Sequence, residues 1–85
     1  MTVDQAKASV KENKEVLKWF DEHEKEDMFI GSEDAILSDG MWSIAFHAIH
    51  KRKDGADRII INMDAKFGDI KGIHYEELSK KFLSK

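Results

Sequence analysis

Two residue types are missing altogether: the chain contains no cysteine and no proline. Without cysteine there can be no disulfide, no thiolate nucleophile, no iron–sulfur cluster and none of the usual structural zinc sites. Small secreted domains generally staple themselves with disulfides, so the composition points to a reducing, cytoplasmic location. Without proline every backbone amide can donate, which suits long uninterrupted helices and strands. Long apolar runs are also missing. None approaches the roughly 18 residues that a membrane-spanning helix needs, so no membrane partner is expected. The opening Met1-Thr2-Val3-Asp4 has neither the basic nor the apolar region of a signal peptide. No glycine-rich phosphate loop and no Gly-x-Ser-x-Gly elbow occurs.

What is present suits one small domain spanning residues 1–85. A domain of this size buries about 60–65% of the surface of its unfolded chain, so its core must be used efficiently. Apolar residues make up 41% and charged residues 36%, too apolar for a disordered chain. The net charge of −3 is not the basic balance of a typical nucleic-acid binder. The charge is unevenly spread: residues 21–39 hold eight acids and one lysine, whereas residues 40–85 hold nine Lys/Arg and six acids.

The chain opens with a predicted helix. Thr2 and Gln5 have capping-box spacing. Val3, Ala6, Val10, Leu17 and Phe20 recur at helical steps to form one stripe, interrupted by Asn13. The five acids in Asp21–Asp27 oppose the negative end of the helix dipole and should end it.

Two Asp-Gly dipeptides, Asp39-Gly40 and Asp54-Gly55, suit two-residue type I′ hairpins, in which both turn residues take positive φ. A turn at Asp54-Gly55 pairs Ala48 with Ile61, Phe46 with Met63, Ile44 with Ala65 and Trp42 with Phe67, all apolar. Its other face pairs Lys51 with Arg58, Ile49 with Ile60, His47 with Asn62, Ala45 with Asp64 and Ser43 with Lys66. The turn at Asp39-Gly40 adds Leu37 opposite Trp42 and Ala35 opposite Ile44. A helix over 41–51 is the rival reading. Ser43, His47 and His50 would share one of its faces, but the strand 59–67 would then lack a partner. The last segment reads as a helix, with Tyr75, Leu78 and Phe82 as its stripe and Glu76, Glu77, Lys80 and Lys81 placed to suit its dipole. The expected fold is thus α+β in the order α-β-β-β-α. It is a three-stranded antiparallel meander with both helices on the Trp42/Phe46/Met63/Phe67 face. That order occurs in double-stranded-RNA-binding domains, but the C-terminal segment lacks their dense basic start and no family is assigned.

Four histidines raise the question of a metal. On a strand, His47 and His50 point to opposite faces and cannot share an ion; His23 and His74 read as solvated helix ends. The paired carboxylates fall on expected turns and helix ends, and none has the spacing of a calcium loop. No cofactor, metal or catalytic residue is expected. The basic residues Lys51, Arg52, Lys53 and Arg58 gather at the expected hairpin tip. The outer sheet face carries Ala45, Ile49, Ile60 and Ile36 among His47, Asn62 and Ser43, rimmed by Lys51, Arg58 and Lys66. Apolar surface with a polar rim is the mark of a protein interface. The expected function is a small non-catalytic adaptor, inhibitor or regulatory subunit acting through this face on a protein partner or on itself. Many phage and mobile-element accessory proteins have this build. The alternative is a binder of single-stranded or structured nucleic acid through the basic tip.

Overall fold

The computed structural model describes residues 2–26, 28–32, 35–51 and 55–78. Two helices come first, α1 (Val3–Lys11) and α2 (Lys14–Glu24). Five strands follow: β1 (Met28–Ser32), β2 (Ile36–Ser38), β3 (Met41–His50), β4 (Ala56–Asp64) and β5 (Ile70–Leu78). The fold is α+β, but among the described residues the order is α-α-β-β-β-β-β, with five strands in place of the expected three, rather than α-β-β-β-α.

The capping box at Thr2 and Gln5 is formed in both directions. The single long helix of the sequence reading is broken in two. Asn13 is the reason: its Oδ1 accepts the backbone N–H groups of Glu15 (2.8 Å) and Val16 (3.3 Å), capping a new helix. The break resets the helical phase. Ala6, Val10, Val16 and Trp19 are buried, whereas Leu17 is 50% exposed and Val3 also lies at the surface.

All strand pairs are antiparallel, in the order β1-β3-β4-β5. β2 also pairs β3, so β1 and β2 divide one edge of β3 between them. The Asp39-Gly40 turn is as expected, with φ of 52° and 73° and Leu37 opposite Trp42. The β3–β4 register is not. Trp42 pairs Met63, Ile44 pairs Ile61, Phe46 pairs Ile59 and Ala48 pairs Asp57, a displacement of four residues from the sequence reading. The last backbone bond runs from the His50 N–H to the Gly55 carbonyl, so the connection is longer than two residues. Asp54 itself lies outside the described residues. Because the displacement is even, every β3 and β4 side chain keeps its expected face.

The C-terminal helix is overturned where it can be followed. Residues 70–78 form a strand, with Ile73 opposite Ile61 and Tyr75 opposite Ile59, while Gly72 and His74 face the other way. Ile73 and Tyr75 on one face, against Gly72 and His74 on the other, supply a period of two that outweighs the helical spacing of Tyr75 and Leu78. Phe82, Lys80 and Lys81 lie outside the described residues.

The core lies between the helices and one sheet face. Trp42, Ile44, Phe46 and Ala48 of β3 and Ile59, Ile61 and Met63 of β4 meet Ala6, Val10, Val16, Trp19 and Met28. Phe20 packs edge-on against Phe46, with centroids 5.0 Å apart. Both helices therefore cover the expected Trp42/Phe46/Met63 face. Phe67 does not join it: β4 ends at Asp64, and Phe67 is 74% exposed in the following turn. Leu37 shares the core side in register but lies at the surface.

Candidate interaction face

Strand pairing arranges the helix-free face of the sheet in rows across the strands. One row runs Phe29, Ile49, Ala56; the next Gly31, His47, Arg58, Glu76; then Ala45, Ile60, His74; then Ile36, Ser43, Asn62, Gly72. Phe29 and Ile49 stand directly opposite each other and are 62% and 45% exposed. Their burial by a partner would release on the order of 25 cal/mol per Å2 of apolar surface. Lys51 reaches over this row, with Nζ 4.7 Å from the Phe29 ring centroid. The second row is polar: an Arg58 N–H donates to Glu76 Oε1 at 3.4 Å. A Cβ on Gly31 would stand 2.9 Å from His47 Nε2, so the glycine makes room for the imidazole.

Of the expected binding residues, Ala45, His47, Ile49, Arg58, Ile60 and Asn62 are on this face. Ala45 is buried, too short to rise between its neighbours, and cannot be a contact residue. Lys66 is displaced: it lies beyond β4, with its ammonium 5.3 Å from the Phe67 ring centroid. Arg52 and Lys53 lie outside the described residues. Phe29 was missed. Its signal was the short apolar run Met28-Phe29-Ile30, hidden by the acidic residues on both sides. His47 and His50 lie on opposite faces of β3, as the strand reading requires.

On the helix side, α2 and the strands β4 and β5 border a groove of about 700 Å3. Glu15, Glu22, Asp57, Glu76 and Glu77 line it, with Lys18, Arg58, His23, Trp19 and Tyr75. His23 is not the solvated residue expected from sequence. Its ring lies over Trp19, centroids 4.2 Å apart, with Nδ1 2.7 Å from the Trp19 carbonyl and Nε2 2.8 Å from Asp57 Oδ2. Both partners are acceptor oxygens, so the imidazole is held from both sides. Across the groove the Tyr75 hydroxyl donates to Glu15. That hydrogen bond, then desolvation and the negative charges of Glu15 and Glu22, push the phenol up to about 12.

No protein-family model matches the chain, and comparison with curated proteins and with solved structures finds no match either. No helix among the described residues is long and apolar enough to cross a membrane.

Proposed function

We propose that the chain is a non-catalytic binding protein, an adaptor, inhibitor or regulatory subunit, that covers a partner protein with its helix-free sheet face. The observation that carries this reading is the exposed pair Phe29/Ile49, in register across β1 and β3. This pair offers a partner a dry centre, with Lys51 over the Phe29 ring, the polar row of His47, Arg58 and Glu76 beside it, and Ile60 in the row beyond.

The test compares double variants against the partner captured from native extract. Ile49→Asp with Ile60→Asp is expected to abolish binding while the domain stays folded. Lys51→Ala with Arg58→Ala is expected mainly to slow association and flatten its salt dependence, because charges at a margin steer encounter. Wild-type affinity in the Ile49/Ile60 variant, read by surface plasmon resonance, would refute the face.

One contact favours a second reading. Lys51 beside an exposed Phe29 combines a cation with an aromatic platform, as single-stranded nucleic acid requires. Retention on heparin and binding of labelled oligonucleotides, both lost steeply with salt, would favour it over a protein partner.

A further inference from the structure

The two helices do not cover the whole sheet. α2 packs on β1 and α1 on β3, while β5 lies on the far side of β4. The helix-side face of β5 is therefore only partly covered. Ile73 and Tyr75 continue the core rows of Ile61 and Ile59, yet Tyr75 is 55% exposed. Its ring forms part of the wall of the groove beside α2.

Charge adds a second feature to this margin. Five carboxylates line the groove, against Lys18, Arg58 and His23. Glu77 stands directly opposite Asp57 in the β4–β5 ladder, so like charges are held together where the strand ends. A short cationic segment with apolar side chains suits such a place: its charges offset the carboxylates and its apolar groups cover the open sheet.

The sequence supplies that segment at the rim of the groove. β5 ends at Leu78, one position beyond Glu77. Residues 79–85 lie outside the described residues. Their sequence is Ser79-Lys80-Lys81-Phe82-Leu83-Ser84-Lys85, three lysines and no acid around an apolar pair. At about 3.3–3.6 Å per residue, Lys80 and Lys81 have roughly 7–11 Å of chain between themselves and Leu78. A chain turning back from Leu78 meets the positions of Asp57 and Glu77 first. The tether holds the segment at an effective concentration on the order of millimolar, so weak contacts suffice. A turn towards the other side of the sheet leads to Lys51, a like charge. We propose that residues 79–85 fold back into the groove of their own chain, with Lys80 and Lys81 against its carboxylates and Phe82 against the exposed Tyr75 ring. The segment then closes the margin of the core that the helices leave open, as a clasp that loosens when salt screens it. The inference does not rest on the function proposed for the helix-free face.

Because the chain has no cysteine, Ser84→Cys accepts a single nitroxide label on the full chain. Paramagnetic broadening of backbone amide signals then reports the side on which the segment lies. At low salt the amides of Lys18 and Glu22 in α2 are expected to broaden much more than those of Phe29 and Ile49. In the labelled chain, Lys80→Glu with Lys81→Glu should remove at least half of the broadening at α2. Reversal of the groove by Glu22→Lys with Glu77→Lys should do the same; both side chains are exposed, so this variant is expected to fold, which circular dichroism checks. Broadening centred on Phe29 and Ile49 would put the segment on the helix-free face and overturn the proposal. So would a lack of broadening at α2, or broadening there that survives both charge reversals.

Discussion

Tyr75 is the only tyrosine in the chain, so its ionisation can be followed by ultraviolet absorbance without interference from another phenol. Its phenol is raised from the ordinary 10.0 to about 12 by the bond to Glu15. A raised folded value means that the contribution to stability is complete below about pH 10 and is lost as pH climbs towards 12. The expected titration midpoint is therefore near 12 in the native protein and near 10 in urea. Glu15→Gln removes the negative charge while keeping an acceptor, and should move the midpoint back towards 10. A wild-type midpoint at 10 would show that the bond does not form in solution. Nothing in the sequence announces this contact: Glu15 and Tyr75 are sixty positions apart, and each reads as an ordinary helix residue in its own window. His23 and Asp57 were equally hidden, because side chains that meet across a fold leave no local periodicity.

The elements were legible where the chemistry is local. The capping box needs only Thr2 and Gln5, and the tight turn only Asp39 and Gly40, so both could be read from neighbouring residues. Gly40 adopts φ of 73°, and a Cβ there would meet nothing within 4 Å. Gly40→Ala should accordingly cost about 1 kcal/mol through backbone strain alone, seen as a lower urea midpoint with unchanged slope. The β3–β4 connection was less legible for a reason of parity. Alternation of apolar residues fixes which face each residue takes, but any even displacement satisfies it equally well. Asp54-Gly55 marked that a turn was near without fixing its length. At the C-terminal end, Tyr75 and Leu78 fit a three-residue step as well as a strand, and β4 as a waiting neighbour decided the matter.

At the scale of the molecule, the sorting of faces predicts two classes of substitution. Trp42→Ala and Phe46→Ala empty the space between sheet and helices and should each cost about 3–5 kcal/mol, a large share of the roughly 5–15 kcal/mol that holds a small domain together. Ile60→Ser, on the helix-free face, should cost less than half as much. Chemical denaturation distinguishes the two, and equal losses would mean that the faces are assigned the wrong way round. The two-layer architecture could be anticipated because the apolar stripes of the N-terminal helices and of β3 each needed a cover. That both helices precede the sheet could not, since it turned on whether one asparagine split a helix and on the fate of β5.

The division of β3's edge between β1 and β2 has a bearing on how large an assembly can grow. The far side of the sheet is finished by a five-residue and a three-residue strand in place of one continuous ladder. A sheet with two good edges can polymerise without limit, because each added copy presents a fresh site for the next. Here the second edge is a chain terminator. On the other side β5 breaks step at Lys71, where Asn62 pairs Gly72 and Met63 pairs Ile70, so among the described residues neither edge offers an incoming strand a long regular ladder.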